Sequence, residues 1–193
     1  MDTNKIKGEF MRGSLETIVG AMFAGKTSEL LKRILWANHQ NKRVVVIKPS
    51  LDNRYSESKI ITHNDLSHEC FAMKNWNDVN KEYSFTKDVI DIVFVDEIQF
   101  LDTDDTLKNI ELILNQGIDV VCAGLDQDSR GKPWETSSMI LGLSDKILKI
   151  YGFCNVCGME ATKTFRKQEG GDRTQVGAAN IYEPRCLKHW TAR

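Results

Sequence analysis

Apolar residues fall in short runs along this chain, and the spacing within each run predicts an element. Leu15, Ile18 and Val19 mark a first strand, and further apolar runs occupy 44–47, 89–95, 118–123 and 147–150. Near-continuous runs of this kind suit strands covered on both faces, as in a parallel sheet. Between them the period changes. Leu30, Leu31, Ile34 and Leu35 line one side of a helix predicted over 28–39, and Leu107, Ile110 and Leu114 line another. Gly117 follows as its C′ glycine. Trp36 and Phe71 are assigned to the core. The alternation predicts a three-layer α/β domain over 13–150, with a smaller unit over 151–193.

Polar stretches frame these elements. Residues 1–12 read as a mobile extension and 48–62 as a polar, mobile loop after the second strand. The chain has 193 residues, 41% hydrophobic and 27% charged, which is ordinary for a soluble globular protein. A net charge of −1 gives no bulk attraction to nucleic acid or anionic membrane, and no apolar run is long enough to span a bilayer. Five cysteines do not pair evenly. Cys70 and Cys122 sit in apolar surroundings as buried thiols, and a reducing, cytoplasmic setting fits best.

The chemistry begins at Gly20-Ala21-Met22-Phe23-Ala24-Gly25-Lys26-Thr27, a complete phosphate-binding loop between a predicted strand and a predicted helix. Such a loop turns backbone N–H groups toward phosphate oxygens at the positive end of the helix. Lys26 is placed to reach the β- and γ-phosphates and the Thr27 hydroxyl to ligate Mg²⁺. The run 92–95 ends in Asp96 and Glu97. At the carboxyl edge of a parallel sheet those acids lie beside the loop, Asp96 for Mg²⁺ and Glu97 as general base. Spacing leaves open whether Glu97 acts on water, as in an ATPase, or on a substrate hydroxyl, as in a kinase.

Cys154-x-x-Cys157 and Cys186-x-x-His189 form two ligand pairs, with 158–185 between them. Four closed ligands predict a structural zinc site. Gly170, Gly171 and Gly177 make the intervening segment a flexible, metal-anchored lid. His39, His63 and His68 read as surface or capping residues, and Trp134 suits either packing or the lining of a site. A nucleic-acid-binding ATPase would need a basic ribbon. Lys163, Arg166, Lys167, Arg173, Arg185, Lys188 and Arg193 make this one mildly basic, but further helicase-type signatures are absent.

Taken in order, the P-loop, Asp52-Asn-Arg54-Tyr-Ser, Thr62-His63, Asp96-Glu-Ile-Gln-Phe100, Gly124-Leu-Asp126, Cys154-x-x-Cys157, the 176–182 segment and Cys186-x-x-His189 resemble the type II, zinc-containing thymidine kinases. The resemblance implies a P-loop (RecA-like) α/β fold, a three-layer parallel sheet with a small C-terminal zinc-ribbon and lasso domain. It also implies ATP-dependent phosphorylation of the thymidine 5′-hydroxyl in nucleoside salvage, with deoxyuridine as second substrate. Residues 20–27 with Asp96, Glu97, Ile98 and Gln99 are then assigned to ATP and its Mg²⁺, and Glu97 to the hydroxyl proton. The nucleoside is assigned Met22, Asp52, Arg54, Phe100, Leu125, Ser129, Thr164, Arg173, Thr174, Gln175, Val176, Gly177 and Tyr182. A homotetramer inhibited by thymidine triphosphate is implied as well, with no nucleic-acid or membrane partner. Ser129 stands where relatives carry an aromatic residue, usually Phe, and Ala178 replaces a lasso glycine.

Overall fold

The computed structural model describes residues 11–51, 59–61, 67–170, 172–173 and 179–192. The chain opens with β1 (Leu15–Val19), α1 (Lys26–His39) and β2 (Val44–Pro49). A hairpin of β3 (Lys59–Ile61) and β4 (Ser67–Glu69) leads to β5 (Phe71–Met73) and α2 (Trp76–Glu82). Next come β6 (Ile92–Val95), a 3-10 turn (Ile98–Phe100), α3 (Thr103–Asn115), β7 (Asp119–Gly124), α4 (Glu135–Leu143) and β8 (Lys146–Lys149). Four short strands close the chain: β9 (Gly152–Phe153), β10 (Glu160–Ala161), β11 (Lys163–Arg166) and β12 (Tyr182–Arg185).

Six strands form one parallel sheet in the order β5-β2-β6-β7-β1-β8. The pleat sorts their side chains to two faces. Val45, Ile47, Val93, Val95, Val120 and Cys122 meet Val79, Ile110, Ile113, Leu114 and Ile140 of α2, α3 and α4. Their neighbours Val46, Phe94, Val121 and Ala123 join Ile18 against Leu30, Leu31, Ile34 and Ala37 of α1. This is the expected three-layer α/β architecture. Truncating a residue such as Phe94, 1% exposed, to alanine would cost about 3–5 kcal/mol. Helix starts are fixed locally: Asn75 caps α2 by accepting from Asn77 N–H, and Asp102 caps α3 by accepting from Asp105 N–H.

Several expectations change. Trp36 is not core: it is 54% exposed on the outer side of α1, with the Lys32 ammonium 4.7 Å from its ring centre. The third strand starts at Ile92 rather than 89, and Val89 is exposed. Cys70 is only partly buried, whereas Cys122 is fully buried. β8 is an edge strand with Ile147 exposed, so its apolar run lacks cover on one side. Of the presumed loop 48–62, Lys48 and Pro49 belong to β2 and 59–61 to β3, while 52–58 lie outside the described residues. The segment 158–185 is not loop throughout, because it holds β10, β11 and β12. Helices α2 and α4 had no expectation attached to them.

Candidate active site and metal centre

The register sets where the site falls. Val95 pairs with Cys122 and Cys122 with Thr17, so β6, β7 and β1 end along one edge of the sheet. From that edge β1 runs into the loop 20–27 and β6 runs into Asp96. Gly25 takes φ 91° at the start of α1, a left-handed conformation that favours glycine, and no side chain caps the helix. The first-turn N–H groups thus keep their capacity for an anion. Lys26 is buried and its Nζ donates to Ala21 O at 2.8 Å, curling the loop. Thr27 Oγ1 donates to Asp96 Oδ2 at 3.1 Å, although 69 residues separate them.

A hydroxyl and a carboxylate in contact beside a P-loop are the hard oxygen donors that Mg²⁺ requires. The donor set fits. Glu97 follows in a left-handed conformation, φ 53°, its N–H donating to Asp96 Oδ1 at 2.9 Å. The side-chain amide of Gln99 donates to Glu97 Oε2. A cleft of about 590 Å³ runs from Gly25 and Ser28 past Lys149 to Tyr151 and Phe153, beside the phosphate loop.

The C-terminal strands close against this edge. β11 and β12 pair antiparallel with Arg166 opposite Tyr182. Thr164, buried on β11, accepts from Met22 N–H through Oγ1 at 3.0 Å, and its carbonyl accepts from Trp190 Nε1 at 3.0 Å. Phe100 packs edge-on against Trp134, ring centres 5.9 Å apart. The Arg173 guanidinium lies 4.2 Å over the Trp134 ring, with Nε on Asp128 Oδ2 and Nη2 on Pro133 O, each at 2.8 Å. Leu125 and Ser129 lie on the segment after β7, and Ser129 is buried. Asp52, Arg54, Thr62, His63 and residues 174–178 lie outside the described residues.

Sequence reasoning missed Asp128, which accepts from Arg130 N–H and Lys132 N–H as well as from Arg173. Only its place in a Gly-containing turn hinted at a role. Trp190 was likewise missed as the partner of Thr164.

The metal ligands converge. The Cys154, Cys157, Cys186 and His189 ligand atoms all lie within 4.8 Å of one another. Cys157 and Cys186 sulfurs are 3.8 Å apart, and His189 Nδ1 is 3.3 Å from Cys186 Sγ. Zn–S bonds of about 2.3 Å at tetrahedral angles put sulfurs at about that spacing, so the four residues can hold zinc. Burial works to raise the Cys154 thiol, but backbone N–H groups of Cys186, Val156 and Cys157 outweigh it and bring it down to about 6. A thiol so placed is poised as a thiolate ligand.

A P-loop entering α1, with an acid pair ending the strand two places away in the sheet, defines a P-loop α/β protein. Comparison with protein families is specific beyond that class. The family model described as thymidine kinase matches residues 13–190, and the chain belongs to that family. The Cys/His cluster agrees with the zinc-containing type II of that family. Among solved structures, the chain is similar to domain III of the replication initiation protein DnaA from Thermotoga maritima, at 15% identity and TM-score 0.44. The match covers 72% of this chain and 55% of that one, a likeness too distant to bear on function.

Proposed function

We propose that this chain transfers the γ-phosphate of ATP to the 5′-hydroxyl of thymidine, and more slowly of deoxyuridine, in deoxynucleoside salvage. The observation that carries this is the meeting of Thr27, Asp96 and Glu97 at the end of the P-loop. Glu97 takes the hydroxyl proton, O5′ bonds to the γ-phosphorus, and the bond from that phosphorus to the β–γ bridging oxygen breaks. ADP leaves with the electron pair. Thr27 and Asp96 would hold Mg²⁺, which when bound neutralises phosphate charge. Lys26 and the loop amides bind the phosphates, and the cleft beside Tyr151 and Phe153 takes the adenine side of ATP.

Residues 13–150 act as the nucleotide-binding unit. Residues 151–193 form the zinc-held unit that covers the nucleoside. On it lie Thr164, Tyr182 and Arg173, with Met22, Phe100, Leu125 and Ser129 facing from the larger unit. Asp52, Arg54 and 174–177 belong to the same assignment by resemblance. Trp134, edge-on to Phe100, supplies aromatic surface near the place where Ser129 lacks it. A homotetramer, inhibition by thymidine triphosphate and a cytoplasmic setting complete the reading. The exposed edge strand β8 and exposed Met139 and Leu143 on α4 offer apolar surface for assembly.

Incubation with labelled ATP and thymidine tests the proposal. Thymidine monophosphate is expected, and Glu97→Gln should slow transfer about 10²–10⁴-fold while ATP still binds. Release of free phosphate alone, or a Glu97→Gln variant at near-normal rate, would refute it. Thymidine should exceed deoxyuridine in kcat/KM, with deoxycytidine far behind, because unpaired buried polar groups reject an analogue by about 10⁴-fold.

A further inference from the structure

Gln99 sits in the 3-10 turn after the acid pair, 5% exposed. Its amide Nε2 donates to Glu97 Oε2, and its Oε1 accepts from Leu125 N–H at 2.9 Å. The direction of the amide is dictated at both ends. A backbone N–H can only donate and a carboxylate can only accept, so the oxygen must face Leu125 and the nitrogen Glu97. The side chain therefore bridges the end of β6 to the end of β7.

The surroundings are shaped to that bridge. A Cβ on Gly124 would stand 2.6 Å from Gln99 Oε1 and 2.6 Å from Ile98 Cγ1, so β7 must be bare where the amide passes. Glu97 carries a left-handed backbone, φ 53° and ψ 41°, which a non-glycine residue adopts only when its surroundings enforce it. Phe100 N–H donates to Glu97 O at 3.1 Å and Leu101 N–H to Ile98 O at 3.1 Å, closing the turn. Those bonds fix the backbone of Glu97 but leave its side-chain torsions to be set by what its carboxylate touches.

We propose that Gln99 is a positioning residue, which aims the Glu97 carboxylate by tethering it to the Leu125 end of β7. The role rests on the reading of Glu97 as the base. Gln99 then acts through Glu97 rather than on ATP. It also ties the base to the segment 125–129, which faces the nucleoside in the proposed function, so carboxylate and nucleoside move as one unit.

A double-mutant cycle on single-turnover transfer from ATP to thymidine tests this, with ATP and thymidine dissociation constants and melting temperatures measured for each variant. Gln99→Met keeps the length and removes both bonds. It should slow transfer about 10–100-fold, the effect of displacing a reacting group by about an ångström, with both dissociation constants within about twofold. In the Glu97→Gln background, Gln99→Met should slow transfer no further. Gln99→Glu keeps the acceptor for Leu125 but loses the donor to Glu97, so it should also be slow. It carries the test if the Met variant melts early.

A Gln99→Met enzyme at normal single-turnover rate but with weakened thymidine binding would make Gln99 a brace for Leu125 and overturn the proposal. Losses that multiply in the double variant would overturn it too. Near-normal transfer by Glu97→Gln alone would remove the base assignment itself, a failure visible without any change at Gln99.

Discussion

Thr164→Val probes the joint between the C-terminal strands β11 and β12 and the P-loop. Thr164 is 4% exposed, and its hydroxyl accepts from Met22 N–H in the P-loop at 3.0 Å. Valine fills the same space with a methyl group, so the packing stays and the acceptor goes. The Trp190 Nε1 bond reaches the Thr164 carbonyl, not the hydroxyl, and is untouched. What remains is a loop N–H facing a methyl. Leaving such a donor unsatisfied costs about 1–3 kcal/mol. For a chain of this size that is a fall in Tm of about 2–12 °C, at about 2–4 °C per kcal/mol.

The loss should also appear in ATP affinity, because Met22 lies within the loop whose N–H groups bind phosphate in the proposed function. Calorimetric melting and ATP titration of Thr164→Val and Thr164→Ser provide the comparison. Serine keeps the hydroxyl and should retain most of both properties. Unchanged Tm and ATP affinity in the valine variant would show that water replaces the hydroxyl at no cost, and that the joint does not couple the two parts of the chain.

Other outcomes are expected. Cys157→Ser should lose zinc by elemental analysis and expose 151–193 to protease while the sheet keeps its far-UV signal; full zinc content would contradict the ligand set. Asp91 accepts from the Arg43 side chain, then from its backbone N–H, and these hold its carboxyl down at about 2 against an ordinary 3.8. The folded state thus gains from Asp91 above about pH 4 and loses that gain as pH falls toward 2. Asp91→Asn should lower the urea midpoint at pH 7 and converge on the parent by about pH 2. Equal midpoints at pH 7 would refute it. Burial pushes the Cys122 thiol up to about 12, so a thiol reagent at pH 8 should leave Cys122 unmodified until the chain unfolds; rapid native modification would mean β7 opens locally.

The parts of the site that the sequence exposed are those whose meaning is local. A P-loop, an acid pair closing an apolar run and two Cys/His pairs each need only a few adjacent residues to be read. The sheet was legible too, because strands buried on both faces carry continuous apolar runs. What failed was any question of which face is covered. Trp36 has the bulk and apolarity of a core residue, yet two places beyond Ile34 it falls on the side of α1 away from Leu30, Ile34 and Ala37 and lies beneath Lys32. Ile147 looked like a buried strand residue because apolar content does not say that β8 is an edge. Contacts such as Arg173 with Asp128, 45 residues apart, and Met22 with Thr164, 142 apart, leave no trace in spacing.

Those long-range contacts change how the two motif sets relate. Read singly, the zinc ligands are a structural staple and the P-loop a phosphate cradle, with nothing to connect them. In the fold, β12 leads directly from Tyr182 to the Cys186 ligand, and β11 beside it gives Thr164 to Met22. Lys163, next to Thr164, bonds Gln127 after β7, and Arg173 clasps Asp128 on the same segment. A pair of four-residue strands has little apolar surface of its own, and a metal on the Cys/His cluster would add to the order it draws from the P-loop and the segment after β7. A metal held by Cys154, Cys157, Cys186 and His189 would therefore set the position of the strands that reach the phosphate loop.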